Sequence, residues 1–251
     1  MKNLSVYIAI VLAITFPYLG YAQETDSIPH NKTGEIVGIA IPAAAIIYGA
    51  ISLGDNGIRQ LDYSVRDNLV ERNALWHVKW DDYLQFSPAV AAFGMKLGGV
   101  QSTHKLLDMA ILYALSNGVN GVVVEASKFI VGRERPDQSD HFSFPSGHTS
   151  TAFVAAEFLH QEYKDQSVWI SVGGYSMATL IGVARVYNNK HWVSDVVTGA
   201  GVGILSTKAV YWVYPYLQKI VGVGTKNKKT SAILLPDYEQ GNWGVSLSCS
   251  F

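Results

Sequence analysis

The chain of 251 residues contains one cysteine, Cys249, which excludes an intrachain disulfide and any thiolate metal cluster. Charge is scarce too: Asp, Glu, Lys and Arg supply 16% of the residues, against roughly 25% in soluble domains. With 49% of the residues hydrophobic, that balance points to a membrane or to deep burial. The net charge of −1 leaves no basic excess to hold nucleic acid and no acidic excess to form a solvating tail. Internal repeats and low-complexity segments are missing as well, and the length suits one substantial domain.

What is present begins with a targeting signal. Met1-Lys2-Asn3 is a short positive start, Leu4 to Phe16 an apolar stretch, and Gly20-Tyr21-Ala22 a small-x-small site before Gln23. Residues 1–22 are therefore predicted to be a signal peptide, with an uncleaved anchor helix as the alternative. Either form implies export.

After a polar spacer, Ile36 to Leu53 is an uncharged run near the length of a membrane span, interrupted by Pro42 and glycines. Asp55 to Asp82 is polar, with Trp76, Trp80 and Tyr83 near its end, as at a membrane interface. Further apolar runs cover Leu84–Met95, Met109–Val124, Val168–Ala184 and Val196–Leu217. They predict an all-α fold over residues 23–222, a membrane-embedded bundle of five or six core helices. Asp108, Asn117, Asn120 and Glu125 are expected to face its interior, because exposing them to lipid is costly. Three N-terminal spans after a cleaved signal would place Lys128 inside the membrane barrier, so one of those runs must fail to cross or the signal must remain.

The tail, residues 223–251, reads differently. Lys226 to Lys229 make a basic linker, and Ser231–Leu235 and Trp243–Phe251 are predicted strands around a turn at Asp237–Asn242. One β-hairpin cannot close a barrel. It is expected to be an accessory flap.

Three stretches concentrate cations, histidines and tight backbone. The first runs from Lys128 to Arg135-Pro136 at the end of an apolar helix, where arginine offers bidentate contacts to an anion. Alone, it equally suits a basic flank snorkelling from a helix end. The second, Pro145-Ser146-Gly147-His148, opens a helix: its free backbone N–H groups attract an anion, Ser146 adds a hydroxyl, and His148 is placed to give up a proton. A well-capped helix would look the same.

The third stretch holds Arg185, His191 and Asp195, the last two at a spacing that puts them on one helix face. A carboxylate there can hold one ring nitrogen protonated and free the other as a nucleophile. The pair can also be purely structural, but the three stretches follow one another at helix ends, as three loops converging at one end of a bundle would.

In these motifs the chain resembles the type 2 phosphatidic acid phosphatase superfamily: Lys128 with Arg135-Pro136, Pro145 to His148, and Arg185, His191 and Asp195 all stand at the family's spacing. The resemblance covers about Met109 to Leu217, and it departs at Ala184, where many members carry serine. It implies that His191 attacks phosphorus, Asp195 orients it and His148 protonates the leaving oxygen. Lys128, Arg135, Arg185, Ser146 and the Gly147 amide would hold the phosphoryl oxygens, with no metal and no cofactor.

The substrate this implies is a lipid-linked phosphate: lipid A by preference, otherwise phosphatidic acid, phosphatidylglycerophosphate or undecaprenyl pyrophosphate. The enzyme would sit in the inner membrane with its site facing the periplasm, or be soluble in the periplasm or outer-membrane associated. A broad-specificity periplasmic acid phosphatase, a vanadium-dependent haloperoxidase and a non-enzymatic membrane factor are the other readings. Nothing in the sequence indicates an oligomeric state.

Overall fold

The computed structural model describes residues 32–72, 74–75, 78–221, 231–239 and 242–250, so the predicted signal peptide and the basic linker lie outside the described residues. Eight helices appear among those residues: α1 (Lys32–Ser52), α2 (Gly57–Glu71), α3 (Asp81–Leu84), α4 (Ser87–Leu97), α5 (Leu106–Val131), α6 (Gly147–Tyr163), α7 (Val168–Tyr187) and α8 (Val193–Val221). Strands β1 (Ser231–Glu239) and β2 (Asn242–Ser250) follow. Two compact units divide at Lys208 and Ala209, within α8.

The apolar runs of the sequence become α1, α4, α5, α7 and α8. Helix α2 lies in the stretch read as a polar segment, because a search for uncharged runs passes over an amphipathic helix. It buries Asp62 and Val65, and the Asn56 side chain caps it by accepting from the Ile58 and Arg59 amides. Helix α4 has 11 residues, about 16 Å at 1.5 Å per residue, too short for a hydrocarbon core of about 30 Å. The Leu84–Met95 run therefore does not form a helix long enough to cross.

Among the described residues, two helices, Leu106–Val131 and Val193–Lys219, are long and apolar enough to span a membrane. Ile36–Ser52 and Gly57–Glu71 would make a third only as a pair bent by 84°. The chain is a membrane protein.

Helix α6 is the central element. It is buried on nearly every side and packs against α4, α5 and α7. The core joins its Ala152, Phe153 and Ala156 to Tyr175, Ala178 and Ile181 of α7 and to Ala200 and Ile204 of α8. Gly199 and Gly203 bring α8 onto α6: a Cβ on them would lie 2.6 Å from the Ser146 carbonyl oxygen and 2.3 Å from that of Ser150. Small residues four apart allow this close approach of helices. It fixes the start of α8 against the start of α6.

Of the polar residues expected inside the bundle, Asn120 is buried and donates to Ser150 Oγ at 3.1 Å. Glu125 instead faces outward and pairs with Lys128 at 2.7 Å, since a carboxylate at a helix end can reach water and a cation together. In the second unit, β1 and β2 pair antiparallel from Ser231 with Ser250 to Glu239 with Asn242. Asp237–Glu239, expected in the turn, belong to the strand.

Candidate active site

Helix α5 stops at Gly132, whose φ of 58° is the left-handed conformation that ends a helix readily in glycine. Helix α7 ends at Tyr187, and Asn189, at φ 56°, turns the chain back so that the Lys190 and His191 amides both reach the Arg185 carbonyl. The two loops are then tied together: Arg135 donates to the Lys190 carbonyl at 3.1 Å, Lys190 pairs with Asp137 at 2.6 Å, and Trp192 Nε1 donates to the Glu134 carbonyl at 2.8 Å.

His191 lies just before α8, not on its face as the spacing suggested, and is 2% exposed. Its Nδ1 is 2.8 Å from the Ser143 carbonyl oxygen, which can only accept, and its Nε2 is 3.1 Å from Arg135 Nη1, which can only donate. These partners select the neutral tautomer with hydrogen on Nδ1 and the lone pair on Nε2. Burial drives the pKa down to about 4; Asp195 opposes this, and Arg135 and Arg185 reinforce it.

Asp195 does not hydrogen-bond to His191. Its Oδ2 is 3.8 Å from Nδ1, because the carboxylate is already occupied. Oδ2 accepts from the Ser143 hydroxyl and from the Trp192 amide at 3.0 Å, and Oδ1 accepts from Arg133 Nη1 at 2.7 Å. Arg133 Nη2 reaches Asp62 of α2 at 2.8 Å, and Asp62 also accepts from the Ser194 amide and hydroxyl. The Asp195 carbonyl accepts from the Ser146 amide at 3.0 Å, joining the second stretch to the third.

A second group forms around Arg185, which is buried. Its Nη1 donates to Asp81 Oδ2 at 2.7 Å and lies 3.8 Å from Asp82 Oδ1. His148 Nε2 is 2.9 Å from that same Asp82 oxygen. The Arg185 guanidinium lowers the pKa of both imidazoles. Arg185 Nε is buried with no hydrogen-bond partner among the described residues.

Ser146 caps α6: its hydroxyl is 2.9 Å from Thr149 Oγ1 and accepts the Thr149 amide at 3.5 Å. Lys128 Nζ would lie 3.6 Å from a Cβ on Gly147, so the ammonium stands over the start of the helix. Lys128, Gly147 and Ser146 thus share the α6 N-terminus, Arg135 and His191 lie together, and Arg185 and His148 meet through Asp82. Ala184, beside Arg185, is fully buried.

A match to the PAP2 superfamily covers residues 109–219, a stretch that contains all eight of these predicted site residues. Residues 109–219 are a PAP2 superfamily domain. The chain is 40% identical over 158 residues to the lipid A 1-phosphatase of Porphyromonas gingivalis, covering 61% of this chain and 36% of that protein. It is 36% identical to the lipid A 1-phosphatase of Helicobacter pylori, covering 50% of this chain and 66% of the relative. Against phosphatidylglycerophosphatase B of Bacillus subtilis the identity is 28%, over 66% of this chain and 85% of the relative. The chain thus spans about a third of the length of the first of these proteins.

Several residues around the PAP2 domain's site escaped the sequence reading. Arg133 stood inside the first stretch and was legible as a further cation close to Arg135, whereas Ser143 lies just ahead of the second stretch and carried no signal of its own. Asp62, Asp81 and Asp82 precede residue 109, outside the matched domain, and nothing local marks them: Asp62 meets Arg133 across 71 positions and Asp82 meets His148 across 66.

Proposed function

We propose that the protein is a phosphatase that removes phosphate from a lipid-linked substrate through a phospho-histidine, with His191 Nε2 as the nucleophile. The observation that carries this reading is the geometry around His191: Nδ1 faces the Ser143 carbonyl oxygen and Nε2 faces the Arg135 guanidinium, partners that favour a neutral ring with its lone pair on Nε2. In the free enzyme Arg135 caps that lone pair. An incoming phosphoryl group would draw the Arg135 donor onto its own oxygens and release Nε2 for attack.

The phosphoryl oxygens would be met by Lys128, Arg135, Arg185, the Ser146 hydroxyl and the Gly147 amide. Arg185 Nε supports this, because a buried N–H without a partner is costly until an acceptor arrives. As the bond to the leaving oxygen breaks, His148 donates its proton to it and the lipid alcohol departs. His148 then takes a proton from water, the hydroxide attacks phosphorus, the P–N bond to His191 breaks and phosphate leaves.

Lipid A is the favoured substrate, supported by two relatives that are lipid A 1-phosphatases and by the membrane-spanning helices. The site is proposed to face the periplasm from the inner membrane. Purified protein in detergent should release phosphate from lipid A; release from soluble esters but from no lipid phosphate overturns the lipid assignment. Cysteine introduced at Ser139 should be labelled without permeabilising the inner membrane, and labelling only after permeabilisation overturns the orientation.

A further inference from the structure

Resting on that reading, we infer that Asp82, on α3 and outside the PAP2 domain, is the positioning residue of the acid, His148: it holds Nε2–H so that the transferred proton travels only through Nδ1. The inference rests on geometry. Asp82 Oδ1 lies 2.9 Å from His148 Nε2, and among the described residues no hydrogen bond reaches Nδ1. An ionised carboxylate only accepts, so Nε2 keeps its hydrogen whether the ring is charged or neutral. With Nε2 engaged by Asp82, Nδ1 is the ring nitrogen left for proton transfer. In the charged ring Nδ1–H gives its proton to the leaving oxygen; in the neutral ring the Nδ1 lone pair takes one from water. One proton is given and one recovered, and Nε2–H never changes.

The charges around His148 explain why such a partner is needed. Burial is the largest influence and lowers its pKa, and Arg185 of α7 adds to that; Asp82 and then Asp81 of α3 oppose it. Lys128 of α5, over Gly147, is a further cation at the same mouth. The environment thus favours the neutral ring, which cannot protonate a lipid alkoxide. Asp82 is the carboxylate in contact that favours the charged form. Asp81 is fully buried, holds Arg185 at 2.7 Å and makes no hydrogen bond to His148. The two neighbours divide the work: Asp81 fixes the anion-binding arginine and Asp82 fixes the acid.

The test compares wild type, Asp82→Asn and Asp82→Glu on two substrates, an alkyl phosphate whose alkoxide needs a proton and p-nitrophenyl phosphate, whose leaving group does not. In Asp82→Asn the alkaline limb of kcat/KM should move to lower pH. At neutral pH the alkyl phosphate should lose roughly tenfold or more while the aryl phosphate loses little. Asp82→Glu should restore both. Equal losses on the two substrates with an unmoved limb would overturn the inference, and so would tighter vanadate binding with no leaving-group dependence, which would make Asp82 a stand-in for the anion.

Should the variants not fold, ring 15N shifts of His148 in the wild-type protein decide: a neutral ring protonated on Nε2 is expected, and one protonated on Nδ1 contradicts it. His191→Ala serves as the separate control. If it retains turnover, the phosphatase reading falls; if it is inactive while Asp82→Asn behaves like wild type, only this inference falls.

Discussion

His191 Nδ1 sits 2.8 Å from the carbonyl oxygen of Ser143, and the carboxylate of Asp195, the partner its spacing suggested, stands 3.8 Å away. Asp195 acts on the ring at one remove. It receives the Ser143 hydroxyl and so fixes the residue whose carbonyl receives Nδ1–H.

Asp195→Asn should therefore do more than misorient a ring. Each carboxylate oxygen already accepts from a donor, so the amide nitrogen meets another donor whichever way it is turned. Turnover should fall on the order of a hundredfold or more, with product phosphate still binding to the folded protein. Steady-state kinetics with phosphate inhibition measure both; near-normal turnover would show that Asp195 does not govern the ring.

Arg133→Ala should destabilise the protein by about 3–5 kcal/mol, because it strips the shared cation from two buried carboxylates, Asp62 and Asp195. Unfolding in detergent measures this. A variant as stable as wild type would mean that the buried cluster contributes no net stability.

The depressed pKa of His191 sets a pH window. Between about 6.5, the ordinary value for histidine, and about 4, its folded value, the unfolded chain binds a proton that the folded chain does not. Stability should fall as pH drops through that window and this contribution should level off below it. His191→Gln should lack this component, and unfolding curves of the two proteins against pH isolate it. The same pKa would keep the proposed nucleophile neutral, so a loss of activity assigned to its protonation should set in only near pH 4.

Gly199→Ala should impair catalysis from a position outside the chemistry. Its Cβ would meet the Ser146 carbonyl oxygen at 2.6 Å, a backbone atom at the start of α6 that cannot give way without moving Gly147 and His148. A destabilisation of about 1–3 kcal/mol is expected together with a fall in kcat. Wild-type kinetics in this variant would show that the α6 N-terminus tolerates the shift.

Lys128, Arg135, His148, Arg185 and His191 were legible because cations and histidines are conspicuous in a charge-poor chain and because each stands at a helix end. The acidic half of the site was not. Asp62 and Asp82 lie on short or amphipathic helices that a search for apolar runs passes over, and only folding brings them to Arg133 and His148. Spacing also misled at His191: it stands four positions before Asp195, but the helix starts at Val193, so the two never share a face. The apolar runs foretold five helices well, whereas α2 needed the capping signal of Asn56 to be seen.

The central claim is a covalent bond between phosphorus and His191 Nε2. Rapid quenching of turnover with a 32P-labelled lipid phosphate, under alkaline conditions that preserve phospho-histidine, should leave label on His191 in the wild type. More label should remain in His148→Ala, where hydrolysis of the intermediate lacks its base, and none in His191→Ala. Label on another residue, or turnover by His191→Ala, would contradict the account.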